Sequence, residues 1–324
     1  MLFRSCAFRR TRKLPINGRS INEAPLAERE KAIERLGGNA SYLSAQVPNP
    51  FAGLIPGTAL NNATTSNGQL LRPFPQFTGI TMDRVNEGSA QYDALEMVVN
   101  KRFSNGLVAV ANYTLSKQFE STGYLNNGYD ARPWRALSST DRTHRLALSA
   151  LYMVPFGRGQ RFGSNASGVK EWLIGGWQVN AIGEIQSGTP TSMPGGILLD
   201  PGGVKLSRDE QTLDRWFDNS TVSNLRPDGT YAWTTIPPND FRTVNVRFPD
   251  IRDPWAPQWA FSLFKNVRVG QQLTAQFRLE TFNAFNTPIY GGPDTGITSS
   301  RFGRVTANQI NFPRHVQLGL RVLF

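Results

Sequence analysis

The last eleven residues, RHVQLGLRVLF at 314–324, constrain this chain more than any other stretch. Val316, Leu318, Leu320, Val322 and Phe324 occupy every second position. On a strand they share one face, while Gln317, Gly319 and Arg321 share the other. The sequence ends on that aromatic. A soluble edge strand carries the same alternation, so the remaining segments must decide between a soluble sheet and a membrane wall.

Composition narrows the choice. At 324 residues the chain makes one large domain or two ordinary ones. No stretch approaches the roughly 18 apolar residues that a spanning helix needs. With 39% hydrophobic and 18% charged residues and a mean hydropathy of −0.36, the chain is too polar for a helical membrane protein. A β-barrel stays open, because its strands conceal their apolar face in alternation and its lumen and loops are polar. Thirty Gly and 21 Pro favour many strands and long loops.

The formal charge is +11, but the basic residues are spread along the chain. The one dense run, FRRTRK at 8–13, reads as a solvated cluster in a disordered start, and no nucleic-acid partner is expected. Cys6 is the single cysteine, which excludes a disulfide framework and a thiolate metal cluster. The first residues have no apolar h-region and no small-residue cleavage site. A fragment, or a start placed inside a longer gene, is therefore expected.

Residues 1–44 form a poorly defined segment in which 24–36 is expected to be a short helix closed by Gly37 and Gly38. Proline density makes 39–76 a long loop. Strands are expected at 78–85, turning at Asn86, Glu87 and Gly88, and then at 89–103 and 107–117, joined by Ser104, Asn105 and Gly106. A polar loop at 119–140 precedes a strand at 143–154, a connection at 155–171 and a strand at 172–186. A long loop at 187–256 leads to strands at 258–264, 273–282 and 314–324. Short and long connections alternate, as in an up-and-down barrel with tight periplasmic turns and long outer loops. Phe103, Tyr113, Tyr152, Phe156, Trp172 and Trp177 fall near the expected strand ends, where interfacial girdles sit.

Five blocks carry a resemblance: YDALEMVVNKRFSNGLVAVANYTLSK, DRTHRLALSALYMVPFGRGQRF, GGWQVNAIGEIQSGTP, FRLETFNAFNTPIY and HVQLGLRVLF. In that order they resemble the carboxyl-terminal barrel half of Oar-like TonB-dependent receptors, the Acidobacteria-type transporters with a carboxypeptidase-regulatory-like domain. VPNPFAGLIPG and LLRPFPQF also look like a loop of that family. The resemblance covers residues 45–324, with Leu115 standing where the family often has Trp. It implies an all-β, antiparallel transmembrane outer-membrane barrel, here partial: about 7–8 strands of a 22-stranded wall. The implied role is ligand uptake or surface binding in the outer membrane of a Gram-negative bacterium, driven by the TonB complex through a plug not seen in this sequence. The resemblance also makes Gln317, Gly319, Val322 and Phe324 the signal read by the barrel assembly machinery. Outer-membrane lipid and an unknown extracellular ligand complete the expected partners.

No catalytic, metal or cofactor constellation is expected, and no enzyme activity. His144 and His315 read as structural or lumen-facing residues. GRGQRFG at 157–163 lacks the strand-then-helix context and Lys-Ser/Thr of a phosphate loop and reads as a turn. Asp209 and Glu210 read as solvated. Trp134, Trp216, Trp233 and Trp255 fit either a ligand-capturing surface or loop-to-loop packing, so no ligand-binding residue is assigned. Two alternatives to the transporter reading stay open: a soluble secreted β-sandwich or carbohydrate-binding module, and a small autonomous porin-like barrel.

Overall fold

The structure, a computed structural model, describes residues 1–193, 195–200, 203–269, 273–306 and 308–324. Eight long strands run β1 (Leu2–Ile16), β2 (Val85–Ser104), β3 (Leu107–Ser121), β4 (His144–Met153), β5 (Trp177–Gln186), β6 (Ala256–Val269), β7 (Leu273–Phe282) and β8 (His315–Leu323). They pair antiparallel in chain order, as an up-and-down meander. The connections 17–84, 122–143, 187–255 and 283–314 gather at one end of the sheet, and the shorter joins sit at the other. Strands β4, β5 and β7 are 10 residues long and β8 is 9, the length of a tilted strand crossing hydrocarbon.

Register sorts the side chains into two faces. Leu95 faces Leu115, Ala111 faces Leu148, Val179 faces Leu263, Leu279 faces Leu318 and Phe277 faces Leu320 on one side of the sheet. The opposite side carries Glu96, Asn112, Arg145, Asn180, Ser262, Arg278, Glu280 and Arg321, with a few apolar exceptions such as Ile182. Arg145 bonds Glu184 across strands at 2.6 Å, and Gln276 bonds Asn266 at 2.8 Å. Among the described residues no second sheet covers the apolar side, and on β8 Val316, Leu318 and Leu320 are 60%, 79% and 63% exposed. In water such an uncovered apolar face is unstable, and in lipid it is already satisfied.

Several expectations need correction. Residues 2–16 are not a disordered start but strand β1, held by backbone pairing along β2 from Leu2 with Asn100 to Ile16 with Val85. Arg9 there meets Asp93 at 2.5 Å, so part of the basic run is paired rather than merely solvated. No reversal occurs at Asn86–Gly88: the strand expected at 78–85 shrinks to Thr81–Met82, which pairs with Arg19–Ser20 in line with the β1–β2 ladder, and past Arg84, whose φ is 58°, residues 85–88 already belong to β2. Gly88 is small for a packing reason, since a Cβ there would stand 2.6 Å from the Leu14 carbonyl oxygen. The β2–β3 join is a two-residue turn, with Asn105 and Gly106 both at positive φ, as a type I′ hairpin requires. Trp172 lies not in a strand but in a short helix, α1 (Gly168–Ile174), and β5 begins only at Trp177 after Gly176 at φ 70°. The helix expected at 24–36 shrinks to Leu26–Glu30 and a single tight turn at Glu34–Leu36. The join between β6 and β7 falls largely on residues outside those described.

Candidate functional site

Two regions carry functional geometry: the body built by the long loops, and the aromatic rims of the apolar face. The loop body has its own core, made by Met193, Val204, Phe217, Ala232, Trp233, Val244, Ile251 and Phe302. Phe217 and Trp233 are 0% and 1% exposed, and their rings pack at 5.7 Å. Burying an aromatic of this size contributes on the order of 2–3 kcal/mol. The 187–255 loop therefore folds as a small unit instead of trailing in solvent.

Polar ties fasten the other loops to it. The Arg35 guanidinium clasps Asp240 with two bonds of 2.7 and 2.9 Å, joining 17–84 to 187–255. Arg29 lies between the Tyr129 and Phe241 rings, 4.6 and 4.7 Å from their centroids. Its Nε donates to the Asn239 carbonyl at 2.9 Å. Asn126 and Arg242 exchange side-chain and backbone bonds of 2.8 and 3.2 Å, tying 122–143 to the same unit. The Asp141 carboxylate, fully buried, accepts from Arg252 at 2.6 Å and from the Gln118 N–H at 2.6 Å. From 283–314 comes Phe302, and the Phe302 carbonyl accepts from Asn219 at 2.8 Å.

The titration of these ties follows from their partners. Asp240 is held below the ordinary carboxylate range, first by Arg35 and then, against the opposing effect of burial, by the Phe241 N–H. Arg226, which pairs with Asp218 and Asp200, is raised chiefly by the Asp218 bond. Arg242 is lowered by burial.

The four loop tryptophans do not converge. Trp233 and Trp216 belong to the loop core, with Trp216 Nε1 donating to the Arg252 carbonyl at 2.6 Å. Trp134 lies on the outside of the loops, tied to Asn245 at 2.9 Å. Trp255 belongs to the apolar face, stacked 6.2 Å from the His144 ring. Loop packing thus accounts for two of the four, and a shared stacking platform is not formed.

His144 bonds the Tyr113 hydroxyl at 2.8 Å at the loop-side end of β4. His315 stands at the loop-side end of β8 beside Phe312, with β5, β6 and β7 between the two histidines. Among the described residues no His, Cys, Asp and Glu cluster suits a metal ion. Asp209 and Glu210 are exposed, as the sequence implies, and Ser207 lowers Glu210 by hydrogen bonding. In the 157–163 turn the Gly157 and Gly159 N–H groups are spent on Phe162 and Ser164 carbonyls at 2.9 and 3.1 Å. The Glu171 carboxylate accepts from Arg158 N–H, which makes the turn a poor phosphate cradle.

Aromatic residues border the apolar face at both ends. Tyr113, His144, Trp255, Trp259, Phe261 and Phe285 cluster on the loop side, with Trp259 and Phe261 stacked at 6.2 Å. Tyr152 and Trp177 mark the other side, joined by Phe156 and Trp172 from the β4–β5 connection. On β2 the charges Asp93 and Lys101 bracket Leu95, Met97 and Val99. Eight residues at about 3.4 Å each place those charges about 27 Å apart along the strand. That is the scale of the ~25 Å apolar band of an outer-membrane wall.

An antiparallel, single-layer sheet with a lipid-facing belt, a polar reverse side and loops on one end is the wall of a membrane β-barrel. A family model for an outer membrane beta barrel domain matches residues 10–317, and the chain belongs to that family. Comparison with curated proteins and with solved structures returned no match. The protein resides in the outer membrane, and none of the described helices is long and apolar enough to cross a membrane. Family and wall geometry together support a membrane-transport or porin-like role.

Proposed function

We propose that the chain is the wall portion of a larger TonB-dependent, Oar-like transporter that takes up or binds a ligand from outside without catalysis. The observation that carries this reading is the open sheet: among the described residues no strand pairs with the outer edge of β1 or of β8. An unpaired backbone group in hydrocarbon costs several kcal/mol, so a lipid-embedded sheet with two free edges requires further strands. The five ordered sequence blocks support the TonB-dependent part of the reading, and the plug on which TonB acts belongs to the parent protein. The loop body faces the extracellular ligand. Gln317, Gly319, Val322 and Phe324 serve the barrel assembly machinery on the last strand.

A second reading, a small autonomous porin-like barrel, draws support from the count of eight long strands, which suffices for the smallest barrels. An immunoblot of cell fractions with antibody to the 187–255 loop body separates the readings. The transporter predicts an outer-membrane band far heavier than the 36.0 kDa of this chain. A heat-modifiable membrane band at the chain's own mass overturns it in favour of the small barrel. A band in the soluble secreted fraction overturns both in favour of a sandwich or binding module.

A further inference from the structure

The connection between β4 and β5, residues 154–176, does more than turn the chain. Its helix α1 carries Val169, Trp172 and Leu173 at i, i+3 and i+4, one face of a helix, and they are 73%, 54% and 55% exposed. Glu171 points the other way, into the turn, where it accepts from Arg158 N–H and stands against Gly175. The helix is fastened to the lipid-facing side of the wall. Trp177 and Lys265, paired on the apolar face, reach its C-terminal end, Trp177 Nε1 donating to the Leu173 carbonyl at 2.9 Å and Lys265 Nζ to the Gly175 carbonyl. The exposed apolar stripe is thus continuous with the lipid belt.

Cations accompany it. The connection holds exposed Arg158, Arg161 and Lys170 against the single acidic Glu171, whose carboxylate is engaged internally. A cleft of 1160 Å³ opens beside the helix, lined by Tyr152, Trp172 and Trp177 together with Arg158 and Arg161 of the connection, and continuing past Arg268 onto the polar side of the sheet. Aromatic walls with guanidinium groups at the rim of a lipid belt suit a phosphate-bearing headgroup whose acyl chains continue along the wall.

We propose that the 154–176 connection is an interfacial anchor that binds the headgroup of an anionic phospholipid in the leaflet nearest the short turns. The inference rests on residence in the outer membrane and is independent of what the protein transports. Its apolar stripe inserts, and Arg158 and Arg161 neutralise the phosphate.

The test places the full chain in phosphatidylcholine vesicles containing phosphatidylglycerol, with bromine near the headgroup of one lipid or the other. The Trp172 signal is taken as the difference between the native chain and Trp172→Phe. Brominated phosphatidylglycerol is expected to quench it preferentially, and Arg158→Gln and Arg161→Gln each lower the preference up to about fivefold. Free inorganic phosphate leaves it unchanged, which separates the lipid from a soluble anion. Equal quenching by both lipids, or loss of the preference on adding phosphate, overturns the proposal. Should Trp172→Phe fail to fold, a spin label on Lys170→Cys in a Cys6→Ser background reports depth. An interfacial oxygen accessibility supports the anchor, and a fully aqueous one overturns it.

Discussion

Asp240 shows how a single carboxylate organises the loop body. Its side chain is fully buried, clasped by Arg35 from a segment two hundred residues earlier and by the Phe241 N–H at 2.7 Å. Because its folded pKa lies below the ordinary 3.8, its stabilising effect is complete above that value and is lost as the pH falls through the lower, folded one. The tie between 17–84 and 187–255 therefore holds at neutral pH and opens only in acid, as the pH falls through a folded pKa lying below 3.8. Hydrogen exchange at Glu34–Leu36 is expected to accelerate in that acid window for the native chain. In Asp240→Asn the exchange is expected to be fast already at neutral pH and to show a much smaller step in acid. An unchanged step in the variant would assign the opening to another group. None of this was legible from composition: a lone Asp in a Pro-rich loop has no sequence signature, and its partner is chosen by tertiary packing.

At the scale of the element, alternation is what made strands readable. The 273–282 strand has the bounds that its pattern implies, and β8 differs from the expected 314–324 by one residue at each end. In β1 the signal is erased because arginines occupy both faces, Arg9 on the apolar side and Arg4, Arg10 and Arg12 on the other. Only pairing with β2, from 69 residues away at Ile16–Val85 to 98 at Leu2–Asn100, makes that segment a strand. Helix α1 was missed for a related reason: KEWLI continues into an alternating run, and the break at Gly175 and Gly176 depends on backbone angles. The two faces themselves are testable with neighbouring residues on β4. Leu148 lies on the lipid side, opposite Ala111 and Gly183, while Ser149 lies on the polar side, opposite Val110 and Ile182. Leu148→Arg is expected to destabilise the membrane-embedded chain by about 2–4 kcal/mol, and Ser149→Arg by less than about 1 kcal/mol. Denaturant unfolding from vesicles measures both, and equal costs would contradict the assignment of faces.

For the whole molecule, surface area and edges lead to one conclusion. A compact soluble chain of 36.0 kDa exposes about 13,000 Å² by the usual scaling with mass, whereas this chain exposes 19788 Å². The excess is the signature of a single-layer wall, whose faces are covered by lipid on one side and by water or other protein on the other. Whether eight strands suffice to close that wall is decided at β1 and β8, and the sole cysteine lies conveniently on one of these edges. Cys6 is exposed and projects from β1 on the polar side, the side that also carries Gln317, Gly319 and Arg321 on β8. Strands β1 and β8 run in opposite directions, so closure would pair them antiparallel with facing Cα atoms about 4.5–5.5 Å apart, inside the reach of a disulfide. Gln317→Cys, Gly319→Cys and Arg321→Cys, each oxidised in vesicles, sample three registers. Only bonds between chains are expected, because an open wall keeps its own edges apart. A disulfide within one chain at any of the three positions would show that the eight strands close on themselves. The wall would then be complete without further strands, and the larger transporter would lose its structural support.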